Sequence, residues 1–424
     1  MTKRKILLGA AALAGTLGIV APAWAQTTLH LLTAQPVEEM QPVVQAFEAA
    51  NPDVKIETET VPYENYAAEI ASRIGSQDPT LEVYFVDAPQ VPAMASKGWL
   101  VNFDDVKSDI EAATNERARP ALLYKGSYWA LPYTTSVQLL FYNKDILAKA
   151  GIPAPSSAEA DRLTWQQAVA LAKKAQTAGA AKWGLQLEQN GRYYQSQSFF
   201  ESSGAGSGLT GDDLLTPAVN TDKWIQTATW YQTIFNDGVA PRNIAAEQSN
   251  DIFRNGDAAF FWGGTWNLAR FNQTAGLHYG VVASPYMEGG KPATPTDAWN
   301  IGVSPYAGNK DLARKFALYM TLGDGAKYIA LGAHIPLIAS VYDEYMKRAR
   351  DTATDDAGKK EMEVAHDVMA YELKDAVVSR PRSTGFVILD DVMAKTFLDI
   401  QGGADVKTTL DAAEDELKSS FSRL

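Results

Sequence analysis

Between Thr28 and Asp87 the chain alternates between the two periodicities that a polypeptide can bury. Thr28 to Thr33 has a short strand pattern, and Met40, Val43, Val44 and Phe47 then fall at i, i+3, i+4 and i+7, one face of a helix. Asn51-Pro52 stops that helix, because the residue before a proline is pushed out of the helical region. Val54-Lys-Ile56-Glu-Thr58 alternates like a strand, Tyr63 to Ile74 is a second helix, and Leu81-Glu-Val-Tyr-Phe-Val86 is a mostly apolar run ending abruptly in Asp87. Such a run suits a strand covered on both faces. The order β-α-β-α-β predicts an α/β unit with strand ends opening toward a crevice. At 424 residues there is room for two such units, or three.

The remaining chain fits this scheme. Leu131 to Tyr142 is a second extended segment broken by Pro132, and Asn143-Lys-Asp145 starts a helix that ends at Gly151. Thr164-Trp-Gln-Gln167 is a capping box launching a helix to Gly179. Gly204-Ala-Gly-Ser-Gly208 follows no strand, starts no helix and lacks the lysine of a phosphate loop, so it is taken as a plain loop. Asp311 to Leu322 is amphipathic, and the last hundred residues are helices joined by Arg380-Pro-Arg-Ser-Thr-Gly385. With no repeat, heptad run or long linker, two units must be joined by crossing strands.

Lys3-Arg4-Lys5, the apolar Ile6 to Ala21 and Ala23-Trp24-Ala25 match a cleavable secretory signal over residues 1–25, which predicts a soluble protein exported to a periplasm. Cleavage would leave 35 basic against 50 acidic residues, a net charge of −15. That balance disfavours nucleic acid and anionic membranes as partners. The sequence has no cysteine, which excludes disulfides, thiolate metal sites, cysteine nucleophiles and a lipid-modified cysteine.

Catalytic signatures are missing. His30, His278, His334 and His366 are the only histidines, and no two lie within five residues, so local zinc spacings are absent and no metal or cofactor is expected. There is no nucleophile elbow and no acidic calcium loop. A pair of glycosidase carboxylates needs no proximity in sequence and stays open. Ten Trp and eighteen Tyr combine apolar faces with hydrogen-bonding tips, which together with export points toward carbohydrate recognition.

Several segments together resemble the extracellular solute-binding proteins of ABC sugar importers, the maltose-binding-protein-like group. They are Leu81 to Leu100, Leu139 to Ile152, Thr164 to Lys174, Phe253 to Trp266, Trp299 to Met320 and Ser379 to Phe386. The Tyr142-Asn-Lys-Asp145 block and the Gly256-Asp-Ala-Ala to Gly264-Thr-Trp266 block are the specific ones. The resemblance implies an α/β, two-lobed periplasmic-binding-protein fold with crossing hinge strands and a ligand cleft between lobes. Residues 26–138 with 280–335 would form the first lobe, and 139–279 with 336–424 the second. It implies a non-enzymatic, monomeric protein without cofactor that closes on a sugar and delivers it to a membrane permease. The alternatives are a secreted carbohydrate-active enzyme, or a binder of an acidic sugar or glycerol phosphate conjugate.

The stretch Phe260-Phe-Trp-Gly-Gly-Thr-Trp-Asn267 is where the resemblance meets the chemistry. A strand would enter the cleft there, Gly263-Gly264 would turn into a helix with amide groups toward ligand oxygens, and Trp266 aligns with a family tryptophan that stacks on a sugar ring. Gly264, Thr265 and Trp266 are therefore site candidates, whereas Phe261 and at least one neighbour are expected to be strand packing. Asp87 at a strand end is a candidate hydroxyl acceptor or helix cap. Gln35, Tyr63, Tyr133 and Trp299 are candidate contacts, with loop exposure or hinge packing as the competing readings. Tyr193 matches a family aromatic position with Tyr194 as its rival. Arg380 could fork onto vicinal hydroxyls or an anionic group, with Arg382 as its rival. The Gly263-Gly264-Thr265 turn facing Arg380 would make an anion pocket.

Overall fold

The computed structural model describes residues 26–296, 299–353 and 355–424; the leader predicted over 1–25 lies outside them. Nine strands form the two main sheets: β1 Thr27–Thr33, β2 Val54–Thr60, β3 Val83–Asp87, β4 Leu131–Pro132, β5 Gln138–Asn143, β6 Trp183–Leu187, β7 Ala258–Gly264, β8 Tyr279–Ala283 and β9 Trp299–Val303. The first sheet has the order β2-β1-β3-β9-β4, with β1 parallel to β2 and β3, and β9 antiparallel to both its neighbours. Its crossovers are the helices Val37–Ala50 and Tyr63–Gly75; the first buries Met40, Val43, Val44 and Phe47, the four positions that the spacing selects.

The second sheet has the order β8-β5-β7-β6, with β7 parallel to β6 and antiparallel to β5. Helix Trp165–Thr177 carries the predicted capping box, Thr164 and Gln167 each bonding the other's backbone. The aromatic run of β7 reflects helices on both faces of the sheet. Phe261 packs on Phe253 and Phe271, while Trp262 meets Trp165 edge-on at 4.7 Å between ring centroids. A strand covered on both sides has no polar face to keep.

One expectation about lobe membership needs correction. The boundary at residue 280 cuts β8, which pairs antiparallel with β5 and completes the second sheet; the Val281 N–H is also held by Glu361 at 2.7 Å. The chain rejoins the first sheet only with β9. The helix Tyr342–Asp351 packs against 326–331 and 335–336 on one side and against the helix Asp356–Tyr371, which lies on β8, on the other.

Four two-residue strands link the two units. Thr134–Thr135 pairs antiparallel with Ile335–Pro336, and Thr294–Pro295 pairs parallel with Val377–Val378. The Thr294 hydroxyl accepts the Gln138 N–H at 2.9 Å, and the hydroxyls of Thr135 and Thr296 meet at 2.9 Å. So few backbone bonds per crossing leave dihedrals free to absorb a hinge rotation.

The strand Val377–Val378 leaves a π-helical turn, Glu372–Ala376, whose Glu372 is wholly buried against Arg162. Burial raises the Glu372 carboxyl from 4.5 to about 7, with Arg162 opposing the shift. An acid whose folded pKa lies above its unfolded one stabilises the fold fully below about 4.5, and that contribution is lost as pH rises through about 7. Glu372→Gln should therefore flatten the fall in stability between those pH values, measured as the difference in chemical-unfolding free energy from the parent chain. An unchanged slope would remove Glu372 as the titrating group.

Candidate functional site

A cavity of about 670 Å³ opens between the units, within the range of about 300–1,000 Å³ usual for small-molecule sites. Its walls come from strand ends and hinge segments. Gln35 follows β1, Asp87 ends β3, Glu188 follows β6 and Trp266 follows β7, while Ser136, His334 and Arg380 come from segments near the crossings. Ligands of open α/β sheets bind beyond the carboxyl ends of the strands for this reason.

Asp87 and Arg380, 293 positions apart, form a two-pronged ion pair at 2.5 and 2.7 Å. Both side chains are about 95% buried, at 5% and 3% exposure. The Tyr63 hydroxyl lies 3.3 Å from the same Asp87 carboxylate. The Arg380 guanidinium also stacks 4.9 Å from the Tyr194 ring centre, and the Tyr194 hydroxyl meets Ser136 at 2.8 Å. Arg192 pairs with Glu64 across the two units and covers the Tyr63 ring at 4.4 Å.

Glu188 organises the opposite wall. Its carboxylate accepts the Gly264 N–H at 2.9 Å, the Trp266 indole N–H at 2.8 Å and the Asn267 amide at 3.0 Å. Burial pushes its carboxyl up while these three donors pull it down. The indole is thereby held by its edge, and its face remains half-exposed to the cavity beside Tyr194 at 6.3 Å and His334 at 5.5 Å. Burial lowers the His334 pKa to about 4, so that ring is neutral at ordinary pH.

The glycines of the turn have a different role from the one their sequence suggests. A Cβ on Gly264 would stand 2.1 Å from the Trp266 ring, and one on Gly263 would stand 2.7 Å from the Glu188 carboxylate. They make room for an indole and a carboxylate. Gly264→Ala should consequently displace Trp266, destabilise the protein by about 1–3 kcal/mol as overpacking does, and alter indole fluorescence. A variant with unchanged emission and melting would show that the ring does not lie over Gly264 in solution.

Of the ten sequence candidates, Gln35, Tyr63, Asp87, Trp266, Trp299 and Arg380 line the cavity. Four do not. The Gly264 amide is taken by Glu188, and Thr265 is 1% exposed with its N–H on the Val137 carbonyl, so neither main-chain amide is free for a ligand. Tyr133 is hinge packing, its ring edge-on to Phe85 at 5.0 Å. Tyr193 is fully buried beside Phe386, and its rival Tyr194 is the residue at the cavity. The expected anion pocket is not assembled either: the turn faces the Glu188 carboxylate and the Arg380 fork is on Asp87. Sequence reasoning missed Glu39, Glu188, Arg192, Arg270 and His334. Only Glu188 had a local signal, an acid after the short run Trp183-Gly-Leu-Gln-Leu187, like Asp87 after β3.

Among the described residues no group of three His, Asp or Glu is placed to hold a metal ion, and no helix is long and apolar enough to cross a membrane.

Two α/β units joined by crossing strands, with a lined cavity between them, define a two-lobed periplasmic-binding-protein fold. The chain belongs to the bacterial extracellular solute-binding protein family, whose model matches residues 33–327. This is a family of binding proteins, not of enzymes. The galactooligosaccharide-binding protein of Bacillus subtilis is 25% identical over 65% of this chain and 64% of its own length. The sn-glycerol-3-phosphate-binding periplasmic protein of Agrobacterium fabrum is 26% identical over 52% of this chain and 51% of its own length. The chain thus spans between half and two thirds of these relatives. An ABC substrate-binding protein of Listeria monocytogenes, solved in complex with cycloalternan, superposes with a TM-score of 0.77 at 22% identity, covering 94% of this chain and 99% of that one.

Proposed function

We propose that the protein captures a neutral carbohydrate between its two units and delivers it, as an exported monomer, to the membrane permease of an ABC importer. The observation that carries this reading is the Trp266 face, fixed by Glu188 and ringed by Tyr194 and His334. An aromatic face takes the C–H side of a pyranose, and the surrounding carboxylates and amides take its hydroxyls. Capture then biases an existing opening and closing, because a ligand bonded by both units favours the closed form.

Neutrality follows from how the charges are committed. Asp87 is paired with Arg380, Glu64 with Arg192 and Asp251 with Arg254, while Glu188 is satisfied by three neutral donors. Glu39 and Arg270 remain, and they attract one another. A ligand with full charge would have to displace one of the three ion pairs or meet Arg270. The names of the relatives support both a neutral and a phosphorylated solute, and Arg270, exposed at the cavity wall, is the one feature that favours an anion.

Calorimetry with neutral mono- and disaccharides against sn-glycerol 3-phosphate separates the two. The expected result is saturable binding of a neutral sugar, recovered intact, with an affinity nearly independent of salt. Binding of the phosphate alone, weakening as salt rises, would overturn neutrality. Turnover of the sugar by the protein alone would overturn the transport role.

A further inference from the structure

Arg380 stands between two carboxylates that belong to different units. Asp87 ends β3 of the first sheet, and its oxygens take the guanidinium fork at 2.5 and 2.7 Å. Asp390 lies on the helix Phe386–Gln401, whose buried face joins the core around the second sheet. The guanidinium is stacked on that second unit, 4.9 Å from the Tyr194 ring centre and 5.6 Å from that of Phe386. Phe386 and Asp390 are four residues apart on one helix, so they share a face one turn apart. Arg380 is accordingly the strongest attractive charge on the Asp390 carboxyl; Asp87 and Asp391 repel it, and Arg192 attracts it more weakly.

The surroundings leave that carboxyl available. The helix Phe386–Gln401 reaches the first unit at the turn Ala88–Gln90, directly after Asp87. Arg192 is committed to Glu64 across the units, and Glu64 and Asp391 line the space beside Asp390. Tyr63 and Tyr193 complete the cluster, and burial holds both hydroxyls well above the usual tyrosine range, so they stay neutral. The helices Asp222–Asn236 and Val406–Phe421 also pack on Phe386–Gln401 but supply none of the charges named. Asp390 accepts no hydrogen bond from a described residue. Burial raises its carboxyl to about 6 against the pull of Arg380.

A hinge rotation that parts the units carries Arg380 with its two aromatic rings and leaves Asp87 behind on β3. A guanidinium drawn off one carboxylate in a buried setting needs another, and Asp390 is the acid on its own side. We propose that Arg380 is a two-position switch, forked on Asp87 when the units are closed and turned to Asp390 when they part, so that protonation of Asp390 favours the closed form. This regulates the carbohydrate site and rests on the reading of the cleft as one that closes on a sugar. Pairing with Arg380 holds the Asp390 pKa in the open form below its closed value of about 6, so closing takes up a proton. The advantage is complete below the open-form value and is lost as pH rises through about 6.

The test is calorimetry of the full chain with the best-binding neutral sugar at acid and neutral pH. Affinity is expected to fall about tenfold from about pH 5 to about pH 7.5, the span over which a carboxyl at about 6 loses its proton. Asp390→Asn, neutral throughout, should bind at the higher pH as tightly as the parent does at the lower, with no slope. Asp390→Ala should be equally flat, which guards against a folding defect in either variant. A flat profile in the parent, a slope surviving in both variants, or weaker binding by Asp390→Asn at the higher pH would overturn the switch and leave the carbohydrate reading standing. If no saccharide binds, that reading fails, and the ligand-free chain decides the switch. The sequence has no cysteine, so Gln41→Cys and Asn255→Cys, exposed beside the cavity residues Glu39 and Arg254, take a fluorophore pair without background. Energy transfer should differ between the two pH values in the parent and not in Asp390→Asn; equal transfer in the parent would overturn the switch.

Discussion

Arg380→Ala is expected to destabilise the ligand-free protein by about 3–5 kcal/mol, the range for breaking one side of a buried ion pair. The reason is the carboxylate left behind. Asp87 is 4% exposed and would lose both guanidinium donors, at 2.5 and 2.7 Å. Because Asp87 ends a first-sheet strand and Arg380 lies in the connector after Val377–Val378, the loss should also loosen the contact between the units. Arg380→Lys keeps the charge and loses the planar fork, so an intermediate loss is expected. The double variant Asp87→Asn, Arg380→Met should recover much of the stability, since removing both charges also removes their desolvation. Urea unfolding of the four chains decides the matter. An Arg380→Ala protein as stable as its parent would mean that the pair is not formed in solution. The same variants bear on the ligand: Arg380→Lys with normal affinity for a neutral sugar would show that the Arg380 fork does not bond that sugar.

How far the sequence reached can be seen residue by residue. Periodicity located the helices Val37–Ala50 and Tyr63–Gly75 and the strand β3, because each buries a face whose spacing is local. The capping box at Thr164 was legible for the same reason, since all its atoms lie within four residues. The assignment of β8 was not. Tyr279–Ala283 reads as a strand in either sheet, and its choice depends on antiparallel pairing with β5, more than a hundred residues earlier. The site divides along the same line. Asp87 and Trp266 were found at the ends of local patterns, but the partners that define them, Arg380 and Glu188, act over 293 and 78 positions. Tyr193 and Tyr194 show the limit most plainly: adjacent tyrosines at a helix start differ only in which side the helix turns toward the core, and that is fixed by Phe386 and Arg380 from the other end of the chain. The glycine pair was read as a source of ligand-facing amides, whereas its lack of Cβ serves an indole and a carboxylate two steps away in space.

Trp266→Ala should weaken sugar binding by about 2–4 kcal/mol, or roughly thirty- to a thousandfold, the range of an aromatic hot spot at the centre of a site. Two losses combine in it. The stacking face disappears, and the Glu188 carboxylate loses its 2.8 Å indole donor while keeping Gly264 and Asn267. A carboxylate with one fewer donor in a buried wall has its pKa raised further, so the variant's binding should also become more dependent on pH than the parent's. Trp266→Phe separates the contributions: it restores most of the face without the N–H, and an affinity between those of the parent and the alanine variant is expected. The ligand-free fold should change little, because the ring is half-exposed and stands on Gly264 at the cavity wall rather than inside either core. Calorimetry with the best-binding neutral sugar, alongside thermal melting without ligand, reads both quantities. Equal affinity in the alanine variant would return the indole to a packing role. A large drop in ligand-free melting with modest loss of binding would do the same, since a ring that holds the apo fold together is not one that waits for a sugar.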